Sequence, residues 1–424
     1  MTATETHGAI DAVWRIESPR IIAGVMRVVR DVGLAEELAQ DALVAALEQW
    51  PESGVPRNPG AWLMTIAKRK AIDLVRRKEN YQRKLAELGH DLETTGEGVE
   101  DEVDAALDGD IEDDLLRLVF TACHPVLSTE ARVALTLRLL GGLKTDEIAR
   151  AFLVPEATIA QRIVRAKRTL AKAEVPYEVP AGPELAERLS SVLEVIYLVF
   201  NEGYSATAGD DWMRPALCDE ALRLGRVLAG LMPKEPEVHG LVALMEIQAS
   251  RAAARTAPDG TPVLLLDQDR SRWDRLLIRR GLVALETAGE LGDAPGPYLL
   301  QAAIAACHAR ARTADYTDWF RIAELYGVLV QITSSPVVEL NRAVAVSMAA
   351  GPAAGLEVVD GLRDEPALQG YHLLPSVRGD LLAKLGRYDE ARDEFDLAAS
   401  LTRNERERSM LLERSAAAAR GDVR

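Results

Sequence analysis

The chain has 424 residues, 48% hydrophobic and 27% charged, with a formal net charge of −16. That length suits about three domains of roughly 150 residues each, and the balance is that of a soluble globular protein with ample core. No basic-then-apolar leader opens the sequence and no apolar run reaches about eighteen residues, so neither a secretory signal nor a membrane span is expected.

Cys123, Cys218 and Cys307 lie far apart with no CxxC pair, which points to reduced, packed cysteines in a cytoplasm rather than disulfides or a zinc site. Charge is placed unevenly. Residues 60–84 carry eight Lys/Arg against two acids, residues 85–116 carry thirteen Asp/Glu and no Lys or Arg, and residues 156–172 carry five basic residues against one acid. From residue 173 onward 27 basic residues face 38 acidic ones, a balance of −11. Clustered basic faces are what binds phosphates, even on an acidic chain.

The first clear element is "LAEELAQDALVAALEQW", a helix with Leu38, Ala42, Ala45 and Ala46 inward and Glu36, Glu37 and Asp41 outward. "PESGVPRNPG" follows, a loop with three prolines and two glycines. In "NPGAWLMTIAKRKAIDLVRRK", Leu63, Ala67, Ala71, Leu74 and Val75 share one helical face, opposite Lys68, Arg69, Asp73, Arg76 and Arg77. Asn58 is placed to cap that helix, with Pro59 at its first position. Its basic side is either a solvated face or a face for DNA backbone. The acidic stretch that follows has the composition of a disordered or extended tether.

"LKTDEIARAFLVPEATIAQRIVRAKRTLAK" reads as helix, short turn, helix, with Thr145 as a candidate cap, Ile148 and Phe152 inward, Val154 in the turn, and Ile159 and Ile163 buried on the second helix. The second helix exposes Thr158, Gln161, Arg162, Arg165 and Arg168, residue types that suit base reading from a helix-turn-helix. "GGLKT" at 141–145 lacks the spacing of a phosphate loop. A lone Cys123–His124 pair supplies too few metal ligands and fits core packing at a helix end.

Beyond the linker "VPYEVPAGPE" some 240 residues remain. The helices "LAERLSSVLEVIYLVFNEGYSA", "CDEALRLGRVLAGLMP" and "PEVHGLVALMEIQASRAAART" come first. "LLLDQDRSRWDR" then gathers Asp267, Asp269, Arg270, Arg272, Trp273 and Asp274. With no nucleophile, histidine or phosphate loop beside them, these read as a salt-bridge network rather than acid–base machinery. Near the end, Gly379, Gly386, Tyr388, Ala391, Phe395 and Ala398 fall at spacings like those of a tetratricopeptide repeat, with a weaker copy around Gly351. Stacked helix pairs of that kind offer concave surfaces for a protein or peptide partner.

Taken together, these segments resemble a sigma-70-type RNA polymerase sigma factor of the extracytoplasmic-function (ECF) group. "FTACHP", "FLVPEAT", "FNEGYSA" and "DQDRSRWDR" resemble the subgroup with a long helical C-terminal extension containing tetratricopeptide-like repeats. The resemblance implies an all-α chain: sigma region 2 over residues 1–84, an acidic linker over 85–112, the region 4 helix-turn-helix over 113–174, a linker over 175–184, a helical extension domain over 185–292 and repeats over 293–424. It implies that Glu36, Glu37, Gln40 and Asp41 grip the clamp helices of the polymerase largest subunit, with the flap of the second subunit as a further partner. Arg57, Asn58, Trp62, Lys68, Arg69, Arg76 and Arg77 would hold the promoter's minus-ten element, with the loop from Pro51 to Gly60 receiving a flipped base and Trp62 either stacking on a base or anchoring the helix start. Thr158, Gln161, Arg162, Arg165, Lys167 and Arg168 would read the minus-thirty-five element. The acidic linker would thread a basic channel of the polymerase or remain solvated.

The sequence departs from the family's turn, which has glycine near Leu153 and serine near Pro155, and this leaves the turn's geometry open. No enzymatic activity, catalytic residue, cofactor or metal is expected, and the extension is a candidate built-in regulator. The competing reading is a stand-alone helix-turn-helix regulator that senses a ligand through its repeats.

Overall fold

The computed structural model describes residues 3–88, 111–205, 213–258, 261–292, 294–402 and 404–421. Among them every regular element is helical, apart from one isolated bridge between Thr256 and Pro262. The chain forms two compact units, residues 1–198 and 199–424.

The first unit holds α1 (Ala3–Val29), α2 (Val32–Ser53), α3 (Pro59–Leu88), α4 (Ile111–Ala122), α5 (Thr129–Leu139), α6 (Thr145–Ala151), α7 (Glu156–Lys172) and the start of α8 (Pro183–Tyr204). Helices α1, α2 and α3 pack on one another around Ile21, Ile22, Leu38, Ala42, Ala46, Trp50, Leu63, Ala67 and Ala71, all buried. Small residues in this set let the helix axes approach, while Trp50 fills the space at one end. Asn58 caps α3 as its sequence suggests, its Oδ1 accepting from Ala61 N at 3.1 Å, and Pro59 opens the helix.

The linker at 175–184 does not end the first unit, because α8 returns to α4 and α5. Arg188 donates to Phe120 O (3.0 Å), Ser191 to Cys123 O (2.6 Å), and Arg132 pairs with Glu194 (3.1 Å). Buried carbonyls at the end of α4 need donors, and α8 brings them.

The second unit continues with α9 (Pro215–Leu231), α10 (Pro236–Ala249), α11 (Arg275–Leu291), α12 (Pro297–Arg310), α13 (Trp319–Thr333), α14 (Pro336–Ala350), α15 (Pro352–Asp360), α16 (Leu373–Lys384), α17 (Tyr388–Leu401) and α18 (Glu405–Ala419). From α13 onward each helix packs mainly on its neighbours in sequence. Between α16 and α17 the contact is close at Gly379, where a Cβ would stand 2.9 Å from the Phe395 ring and 3.2 Å from Ala391 O. Phe395 and Ala398 are fully buried there, while Tyr388 is half-buried.

The expected salt-bridge network at 267–274 is corrected by the structure. Asp269 accepts from Ser271 N and Asp274 caps α11 by accepting from Leu276 N and Leu277 N, while Arg270 donates to the carbonyls of His308 and Ala311. Among the described residues no ion pair joins these groups, and the Asp269 and Asp274 carboxylates serve backbone turns instead.

Candidate nucleic-acid interface

The helix-turn-helix is built as its pattern suggests, with two differences. Ile148, Ile159, Ile163 and Ala166 are buried, and Phe152 is half-buried. Thr145 is not the cap of α6. It is the first helical residue, and the Glu147 carboxylate reaches back to Lys144 N (2.8 Å) to satisfy a free donor. The turn keeps its geometry without glycine. Leu153 takes φ +51°, with Val154 N bonded to Ala149 O (3.1 Å) and Leu153 N to Arg150 O (3.4 Å), so α6 ends in a Schellman motif. A β-carbon in that conformation costs about 1–2 kcal/mol. Pro155 then begins α7 with no side-chain cap.

Gln161, Arg165 and Arg168 are exposed along α7, with Thr158 and Arg162 half-buried beside them. On α3, Arg69, Arg76 and Arg77 are exposed and Lys68 is half-buried, while Arg57 and Asn58 lie exposed in the preceding loop. Trp62 stands edge-on to buried Trp50, ring centroids 5.3 Å apart, and is itself half-buried. It therefore anchors the start of α3 while keeping part of its ring in solvent.

Glu37 is exposed and Gln40 half-buried on α2. Asp41 is exposed and pairs with Lys70 of α3 at 3.0 Å, a surface pair worth little by itself. The expectation that Glu36 faces outward is corrected. Its side chain is 6% exposed and accepts from Arg138 Nε on α5 (2.6 Å), from Lys167 Nζ on α7 and from Gln40 Nε2 (2.9 Å). Helical periodicity places Glu36 beside Glu37, but a tertiary charge partner overrides that placement. Lys167 is accordingly spent on Glu36 in this state, not offered with Arg165 and Arg168.

Sequence reasoning also missed the rest of this seam. Buried Asp114 on α4 pairs with Arg27 of α1 (3.5 Å) and Arg117 (2.8 Å), and burial pushes its carboxyl above the usual range against the pull of both arginines. The Tyr177 hydroxyl lies 2.7 Å from Asp114 O and 2.9 Å from Ala23 O, and burial raises its phenol strongly. Arg15 meets Glu147 at 3.0 Å. Gly142, at φ +64°, sits with its would-be Cβ 3.3 Å from Arg15 O, so the "GGL" turn is an approach to α1. A crevice of about 560 Å³ lined by Arg27, Arg30, Lys167, Glu174 and Tyr177 runs along the same seam. Apart from Asp114 and Arg117, one helical turn apart, these partners are distant from each other in sequence, so no local signal announces them.

Cys123 is packed, its Sγ 3.3 Å from Thr136 Oγ1, and burial pushes the thiol up to about 11. His124 Nδ1 accepts from Val126 N (3.1 Å) in the turn that follows. The acidic tether falls largely on residues 89–110, outside the described residues.

These features define an all-helical protein with two separate basic faces, one on a helix after a Pro/Gly loop and one on the second helix of a helix-turn-helix. Comparison with known families agrees: residues 14–81 match Sigma-70 region 2, residues 117–170 match Sigma-70, region 4, and residues 188–289 match a family of unknown function, DUF6596. An uncharacterized protein of Rhizobium meliloti (strain 1021), R00370, is 45% identical over 401 residues, covering 94% of this chain and 93% of that protein. Two proteins described as ECF RNA polymerase sigma factor SigK are similar to a little over a third of the chain. That of Mycobacterium bovis (strain BCG / Pasteur 1173P2) is 30% identical over 152 residues, 36% of this chain and 78% of that protein. That of Mycobacterium sp. (strain KMS) is 31% identical over 159 residues, 37% and 77%. The chain belongs to the sigma-70 family of sigma factors, transcription initiation factors whose regions 2 and 4 imply binding to core RNA polymerase and promoter DNA. Among the described residues no helix is long and apolar enough to cross a membrane.

Proposed function

We propose that the chain is an ECF-group sigma factor whose C-terminal extension controls its use of polymerase and promoter. The observation that carries this reading is the order of two exposed basic faces on matched sigma regions: Arg69, Arg76 and Arg77 in the first, Gln161, Arg165 and Arg168 in the second. The exposed side of α2, with Glu37 and Asp41, is the proposed grip on the clamp helices of the largest subunit, and region 4 the part that meets the flap of the second. The loop from Pro51 to Gly60 takes a flipped base of the minus-ten element, with unstacking offset by a pocket and by phosphate contacts. Each Lys or Arg near a phosphate releases counterions, which makes binding steeply salt-dependent. The α7 face reads the minus-thirty-five element in the major groove.

The extension, residues 185–292 followed by the tetratricopeptide-like pairs of 293–424, regulates or supports this activity and offers a surface to a protein or peptide partner. Its acidic balance opposes the basic faces electrostatically. The test compares binding of labelled promoter by the chain alone and by the chain with core RNA polymerase. Specific duplex binding that needs polymerase supports the reading, whereas equally tight specific binding without it would make the chain a stand-alone regulator. Deleting residues 205–424 without changing promoter activity would remove the regulatory role.

A further inference from the structure

Arginine is charged at any physiological pH, so a buried guanidinium needs an anion or dense hydrogen bonding to offset lost hydration. In the second unit three arginines converge. Arg251 stands over the rings of Tyr204 (5.7 Å) and Trp273 (5.9 Å), Arg255 over Tyr204 (3.5 Å) and Arg270 over Trp273 (5.0 Å). Arg255, Arg270, Trp273 and His308 are all more than nine-tenths buried. Arg255 and Arg270 hold structure, donating to Tyr204 O and to His308 O, Ala311 O and Thr317 Oγ1. Among the described residues, neither Arg251 nor Arg270 forms an ion pair, on a chain whose formal net charge is −16. Four polar atoms of the cluster have no hydrogen-bond partner: Arg251 Nε, Arg270 Nε, Trp273 Nε1 and His308 Nδ1.

We propose that this cluster is a binding site for the carboxylate or phosphate group of a small molecule, held by Arg251, Arg270 and the Trp273 and His308 ring nitrogens. Aromatic faces bracket the guanidiniums and fix their planes, as cation–π contacts do, and unspent N–H donors are what an oxyanion accepts from. The field of the cluster is felt within it: burial first, then Arg251 and Arg270, push the His308 imidazole down to about 3, and burial first, then Arg251, lower Arg270. An anion in this place relieves repulsion that the described chain leaves unrelieved. The site belongs to the extension alone, so it stands or falls independently of the sigma reading.

The test is calorimetric and thermal titration of the full chain with inorganic phosphate and with citrate, against sodium chloride at matched ionic strength. Saturable heat and a rise in the melting temperature of the second unit are expected from at least one probe. Arg270→Ala removes three structural bonds and can fail to fold, so the decisive variant is Arg251→Gln, whose guanidinium makes only ring contacts among the described residues. Arg251→Gln should lose at least tenfold in anion affinity while melting no lower than the parent without anion, since it removes a repelling charge. A purely structural arginine would lower the melting temperature and leave anion affinity alone. No response to either probe beyond the chloride control, or an undiminished response in Arg251→Gln, overturns the proposal.

Discussion

Replacing Glu36 with Gln should open the first unit. The carboxylate is the shared acceptor of Arg138 and Lys167, and it joins α2 to both α5 and α7. Removing one partner of a buried pair costs about 3–5 kcal/mol because the other charge stays buried. Arg138 and Lys167 keep 23% and 21% of their side-chain surface in water, which places the cost at the lower end, about 3 kcal/mol. At 1.4 kcal/mol per tenfold, that shifts the closed-to-open ratio by about a hundredfold. Opening matters because minus-ten and minus-thirty-five elements lie about 25 base pairs apart, roughly 85 Å at 3.4 Å each, whereas α2 and α7 touch in this state. Spin labels at Glu48 and Thr169, both exposed, report the change by pulsed electron resonance. A longer, broader distance distribution is expected for Glu36→Gln and, more weakly, for the parent chain in high salt. An unchanged distribution would refute the argument that this carboxylate holds the unit closed.

Three further outcomes are expected. Arg165→Ala should weaken promoter binding by about 1–3 kcal/mol and relax base preference in the minus-thirty-five element, while Arg77→Ala should weaken all sequences alike and lower the salt slope by about 0.7–0.9; competition binding with mutated promoters separates them, and the reverse pattern contradicts both roles. Leu153→Gly should stabilise the helix-turn-helix by about 0.5 kcal/mol, because relief of the left-handed leucine slightly exceeds the entropy glycine adds to the unfolded chain; native-state hydrogen exchange of α6 and α7 measures it, and lost protection would show that the leucine side chain (56% exposed) packs more than its exposure implies. The Cys123 thiol, held up at about 11 by burial, should resist iodoacetamide at neutral pH until the chain unfolds. Rapid alkylation of native Cys123, read by peptide mass mapping, would contradict its packing.

What the sequence made legible follows from the reach of each interaction. Apolar residues at helical spacing declare their own burial, so Leu63, Ala67, Ala71, Ile148, Ile159 and Ile163 fall where their periodicity puts them. Asn58 acts on the peptide three residues on, and that cap was readable too. Glu36 was not, since only the folded chain brings Arg138 and Lys167 to it and turns an apparent surface carboxylate into a buried junction. The cluster at 267–274 misled for a related reason: adjacent charges of opposite sign suggest pairing, but Asp269 and Asp274 answer to nearby peptide N–H groups and Arg270 to distant carbonyls. At Leu153 the departure from glycine left the turn open on paper. The helix-end hydrogen bonds hold it in the left-handed form regardless. Pairings across the seam, such as Arg27 with Asp114, have no signature in either segment.

The most direct test of the central claim is run-off transcription by purified core RNA polymerase on promoters selected from a random library, with and without the full chain. The account predicts initiation at a defined start site only when the chain is present, lost on mutation of either promoter element and reduced by Arg77→Ala or Arg165→Ala. Core polymerase that gains no promoter-specific initiation from the chain, on any selected template, would contradict it.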